Sequence, residues 1–282
     1  MQNTISRVFG PGEHTSLQIR RSDCTGALTV HGAHVIEWTP AGQQPVIWMS
    51  QSSVLAPGKP IRGGVPICFP WFAAHPHDPQ LPLHGTARLQ EWTVAEQQDG
   101  AEGTEILLRT QCDAFALSFR VRFAETLSME LTAELPADAA ESAEFESALH
   151  TYFVVGDIHR VQVDGLEQAV YHDKVAGVRD CPAAGAPIHF TAETDRVYLN
   201  TQSEITVHDP VLGRCIRILR EGSDSAVVWN PWIRKSAQMA DFGDEEWPGM
   251  LCIEAANVDM NRVRLQPGQA QTMRVLIRVT QL

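Results

Sequence analysis

The sequence predicts an all-β protein, a large antiparallel β-sandwich, on three observations. Apolar and polar residues alternate with a period of two wherever a pattern is legible. No stretch carries the periodicity of a long amphipathic helix, and Gly, Pro, Asp and Asn punctuate the chain between short apolar runs. In chain order, strands are expected at 27–38, 105–110, 119–123, 128–135, 148–155, 160–163, 204–208, 214–219, 226–229, 250–255 and 273–279. The clearest is FRVRF, where Phe119, Val121 and Phe123 face one way and Arg120 and Arg122 the other. In MRVLIRV, Met273, Val275, Ile277 and Val279 likewise oppose Arg274 and Arg278. Residues 137–144 read as a loop or short helix. The stretch 57–82 carries seven prolines and cannot be regular strand throughout; rigid loops of this kind usually shape a site.

Many short strands without alternating helices fit sheets packed face to face. With 282 residues, 44% of them hydrophobic, and no linker, repeat or composition break, residues 1–282 are expected to form a single domain. The 22 basic against 34 acidic side chains give a net charge of −12, which repels nucleic acid and anionic membranes, so neither is an expected partner. A small anionic substrate stays open, because charge beyond about 8 Å is screened and a few local arginines can dominate a pocket. The six scattered cysteines read as reduced thiols. The start MQNTISRVFGPGEH has no apolar core of a leader, and no segment approaches the length of a membrane span, so a cytoplasmic protein is expected, and a monomer because no long exposed apolar segment stands out.

No GxGxxG, GxxxxGK[ST], GxSxG or HExxH occurs, which sets aside the common nucleotide sites and the serine elbow. His75 and His77, with His84, could be read as metal ligands, but between prolines in a polar loop the first two are expected to be solvated. The polar residues that stand out in apolar or Gly-rich surroundings are Arg62, His84, Arg88, His150, Asp195 and Glu254. Singly, each has a structural reading: a histidine or glutamate in an apolar strand is most often a satisfied core residue. Together they are a large set of titratable groups for such surroundings.

The segments IRGGVPICFPWF at 61–72, LPLHGTARLQEW at 81–92, ALHTYFVVGDI at 148–158, ETDRVY at 193–198, VVWNPW at 227–232 and IEAANV at 253–258 resemble the aldose 1-epimerases, and within them the hexose-6-phosphate mutarotase branch. The resemblance covers about residues 25–280 and implies a galactose mutarotase-like supersandwich that binds a hexose 6-phosphate. It implies His150 as general acid and Glu254 as general base of ring opening, His84 and Asp195 as hydroxyl-binding partners, and Arg62 with Arg88 as the basic wall. No metal or redox cofactor is required. The residues agree: opening a hemiacetal needs a proton removed and a proton given, which suits a carboxylate opposite an imidazolium. Arg62 beside two glycines suits an anion, and Lys59 is a further candidate phosphate contact. Period-2 geometry sets His150 on one face with Ala148 and Tyr152. Trp71, Phe72 and Trp232 are expected to pack as loop cores, Asn230 to be structural, and 241–246 to be a solvated acidic loop. A free-aldose epimerase, or a non-catalytic sugar binder on the same fold, are the competing readings.

Overall fold

The computed structural model describes residues 4–9 and 15–282, so the absence of a leader expected at the start falls partly outside the described residues. Alternation produces the strands directly. Phe115–Phe123 buries every second residue, and Leu127–Glu134 does so until its last. They pair antiparallel with Phe119 opposite Leu131, and Ala270–Gln281 continues the ladder on the far side. These strands form the middle of a nine-stranded sheet that runs from Ile188–His189 to Thr93–Gly100.

An eight-stranded sheet lies against it. Its order is Val178–Cys181, Tyr171–Asp173, Thr194–Leu199, Ser225–Asn230, Met250–Asn257, Ser147–Leu149 and Ile67–Cys68, with Tyr152–Val154 also pairing to Met250–Asn257. The two faces of this sheet do different things. Leu149, Tyr198, Ala226, Val228, Ile253 and Ala255 join Phe119, Met129 and Ile277 of the nine-stranded sheet in one apolar core. On the opposite face Cys68, Ala148, Val197, Leu199, Val227 and Ala256 form a second, smaller cluster with Phe72 and Val258. Because both faces are covered, Ser225–Asn230 and Met250–Asn257 are buried at every position, which is why they read as continuous apolar runs. A four-stranded meander and the pair Ala143–Phe145 with Val263–Leu265 complete the sheets.

Several expected boundaries move. The run 27–38 is a hairpin, Cys24–Thr29 and His34–Pro40, turned at Gly32, whose φ of +70° brings its backbone so near Arg88 that a Cβ would lie 2.7 Å from the Arg88 carbonyl oxygen. The run 148–155 is two strands, Ser147–Leu149 and Tyr152–Val154, parted at His150. Ile158–Arg160 is a 3-10 turn, with strand beginning only at Gln162. Residues 137–142 are loop, and 57–82 is loop apart from Ile67–Cys68 and isolated bridges. Among the described residues no helix is long and apolar enough to cross a membrane, and the longest helical piece is Trp232–Ser236. All six cysteines are unpaired.

Candidate active site

The break at His150 builds the site. His150 N–H donates to the Pro66 carbonyl (3.0 Å) in the Pro-rich loop instead of to a neighbouring strand. The ladder nevertheless keeps its register: Leu149 faces Ala255 before the break and Tyr152 faces Cys252 after it. His150 is therefore held directly across from Glu254, with Nε2 3.3 Å from Oε1. The next strands continue the row. Cys252 faces Trp229, and Trp229 faces Asp195, which sets Asp195 on the same face as Glu254.

The glycine motifs bring the cations in. Gly63 and Gly64 both have positive φ, and a Cβ on Gly64 would lie 2.4 Å from the Val35 carbonyl oxygen; only glycine lets the chain pass so close and present Arg62. Arg62 donates from Nη1 to the Tyr152 hydroxyl (2.9 Å) and pairs through Nη2 with Asp241 (3.2 Å). In HG-x-AR, Gly85 crosses over Phe69, where a Cβ would be 1.9 Å from the carbonyl oxygen. That crossing seats His84 against His150, ring centroids 5.7 Å apart, and starts the turn Ala87–Leu89 that carries Arg88. The resting partner of Arg88 is the Leu83 carbonyl (Nη2 to O, 2.7 Å). Its Nε is buried without a partner, and among the described residues no carboxylate lies within 4.0 Å of its guanidinium.

An aromatic column stiffens this wall. Phe242 packs on Trp48 (5.1 Å), Trp48 stacks on Tyr152 (5.7 Å), and Tyr152 stacks on the His150 ring (4.8 Å, 14°). Trp229 meets both His150 and Tyr152 edge-on.

Burial sets the protonation states. It pushes the His150 imidazole well below the ordinary histidine range, with His84, Arg88 and Arg62 adding to the effect. It pushes Glu254 well above the carboxylate range; Asp195 adds to this and Lys174 opposes it. His84 is pushed down to about 3 by burial and by Arg88, Lys174 and Arg62. Being neutral, and accepting the Ala73 N–H on Nδ1 (3.3 Å), His84 carries its proton on Nε2 as a donor. Asp195 is raised by burial, and Lys174 and Lys235 oppose the shift. Burial thus disfavours charge on both members of the pair and draws a proton between them toward Glu254.

Glu254 Oε2 and His150 Nδ1 are also buried without partners. Buried polar atoms left unpaired in one place mark where a ligand supplies the missing hydrogen bonds. A carboxyl and an imidazole this close can serve two oxygens bonded to the same carbon, one losing and one gaining a proton.

The structure thus gathers Arg62, His84, Arg88, His150, Asp195 and Glu254 in one neighbourhood. Lys59 stays exposed, and its carbonyl bonds His31. His75 is not simply solvated: its Nδ1 accepts the backbone N–H groups of His77 and Asp78, and its ring packs on Trp71. Among the described residues no three His, Cys, Asp or Glu side chains converge as metal ligands. The acidic loop at 241–246 is also not merely solvated, since Asp241 holds Arg62 and Glu246 bonds Ser50 (2.6 Å). Phe72 does more than fill a loop: it packs on His84, takes the Lys174 ammonium over its ring (4.7 Å), and lines with Lys174 a cavity of about 760 Å³ whose walls include none of the six candidate residues. Asn230 is structural as expected, donating to the Trp247 and Met250 carbonyls. Sequence reasoning missed Asp241 and Lys174. Lys174 sits in an exposed turn after Tyr171–Asp173 with no apolar context to signal it.

The family model for aldose 1-epimerase matches residues 16–278. A relative from Escherichia coli (strain K12), provisionally named glucose-6-phosphate 1-epimerase, is 34% identical over 233 residues, covering 82% of this chain and 79% of its own. One from Cenchrus ciliaris with the same provisional name is 31% identical over 271 residues, covering 90% and 81%. The crystal structure of a provisionally named mutarotase from Salmonella typhimurium superposes with a TM-score of 0.90 at 28% identity, covering 99% of this chain and 94% of that one.

Proposed function

The chain belongs to the aldose 1-epimerase family, and from that premise we propose that it interconverts the α and β anomers of a hexose 6-phosphate, glucose 6-phosphate foremost. Glu254 takes the proton from the C1 hydroxyl as its electrons form the C1 carbonyl. The bond from C1 to the ring oxygen breaks, and that oxygen takes a proton from His150. After rotation about C1–C2, His150 recovers the proton as the oxygen attacks the other face of C1, and Glu254 returns its own to the new hydroxyl. Asp195 and the Nε2–H of His84 hold sugar hydroxyls, and Arg88 and Arg62 hold the phosphate.

The observation that carries this reading is the His150–Glu254 pair, 3.3 Å apart, beside a guanidinium that lacks a carboxylate. A cation withdrawn from water is stabilised by an anion, and a guanidinium binds phosphate oxygens in a fork. Residues 1–282 act as one domain, monomeric and cytoplasmic, in the same reading. The names of the relatives point to the same substrate.

NMR magnetisation transfer between the α and β H1 signals tests it. Catalytic amounts of protein are expected to speed exchange in glucose 6-phosphate far more than in glucose. Equal acceleration of both would make it a general aldose epimerase, and none would leave a sugar-binding protein.

A further inference from the structure

The acid and the phosphate wall share one charged neighbourhood. Around the His150 ring stand Glu254 from Met250–Asn257, Tyr152 from Tyr152–Val154 and Trp229 from Ser225–Asn230. From the loops come His84, Arg88 and Arg62. Two of these are permanent cations; Arg62 has Asp241 as an ion-pair partner, while Asp241 reaches Arg88 only from beyond ion-pair distance. Lys174 adds a third positive charge facing His84 and Glu254. The contact from wall to acid is direct: Arg62 bonds the Tyr152 hydroxyl at 2.9 Å, and the Tyr152 ring lies flat on His150 at 4.8 Å. An imidazole buried among guanidinium groups resists a further positive charge, and an anion seated on those groups removes the resistance.

Resting on the phosphosugar reading above, we propose that the substrate phosphate switches the acid on as well as anchoring the sugar: with an anion on Arg88 and Arg62, the shared proton passes from Glu254 to His150. That transfer leaves a carboxylate and an imidazolium, the pair that ring opening uses, and it involves no other reactant. Discrimination against unphosphorylated sugars then appears in kcat and not only in KM.

Supplying the substrate in two pieces tests this. Anomer exchange is measured for xylose, an aldose lacking the C6 group, with and without inorganic phosphite at constant ionic strength. The His150 ring is followed by ¹⁵N NMR in the same samples, and phosphite is also tested as an inhibitor of glucose 6-phosphate exchange. Phosphite is expected to inhibit the phosphosugar, to protonate His150, and to raise xylose exchange by about tenfold for each unit by which the imidazole rises. Inhibition without acceleration, or acceleration with His150 still neutral, overturns the switch and leaves the phosphosugar reading intact. No inhibition at all overturns the phosphate wall and the switch with it.

Discussion

Removing the charge of Glu254 while keeping its shape isolates its chemistry from its packing. Glu254→Gln and His150→Asn are expected to fold, by circular dichroism, and to lose about 10²–10⁴-fold in kcat for anomer exchange. The pair works with one proton between its members, so activity falls as pH rises through the Glu254 pKa and that proton is lost. Because burial raises that pKa, the alkaline limb of kcat/KM is expected above the ordinary carboxylate range. Lys174 opposes the rise, so Lys174→Met moves the limb to still higher pH and Lys174→Arg restores it; a profile unchanged in Lys174→Met would remove Lys174 from the site. Arg88→Ala is expected to raise KM for glucose 6-phosphate by ten-fold or more while the KM for glucose changes little, read from the concentration dependence of exchange; about 1.4 kcal/mol of lost charge-assisted bonding gives that factor.

The elements exist to put these side chains in register. Gly85→Ala is expected to cost about 2 kcal/mol or more in chemical denaturation, because its φ of +77° is strained for alanine and the new Cβ would meet the Phe69 carbonyl at 1.9 Å. The strands were legible wherever one face is buried and the other wet, as in Phe115–Phe123. They were misread where a period-2 pattern runs on across a turn, as at Gly32, or across a break. His150 shows why: alternation continues through it, but its N–H goes to Pro66, and only tertiary pairing reveals that. The six candidate residues stood out because each is a polar group in apolar or glycine-rich sequence. Asp241 and Lys174 were not, since an acid among acids and a lysine in an exposed turn look like ordinary surface. Protonation states were equally hidden, being set by neighbours far away in sequence.

For the molecule as a whole, the all-β prediction holds because two large antiparallel sheets share one apolar core, leaving the outer face of one free to build the site. Stability should carry the imprint of its buried imidazoles. His34 and His84 are held down to about 3, and His150 well below 6.5, so below pH 6.5 the unfolded chain takes up protons that the folded one refuses. Stability contributed by these groups is complete above pH 6.5 and is lost as pH falls toward 3; Glu254, raised in the fold, offsets one of the three. The thermal midpoint is expected to fall steadily from pH 6.5 to 4, and a flat profile in calorimetry would mean that the imidazoles are not held neutral. The aromatic column from Phe242 through Trp48 and Tyr152 to His150, with Trp229 against its inner end, also makes the protein its own optical probe. Two indoles lie within a ring or two of the guanidinium wall and the acid. Filling that wall changes the electric field on them, so intrinsic fluorescence reports occupancy without a label.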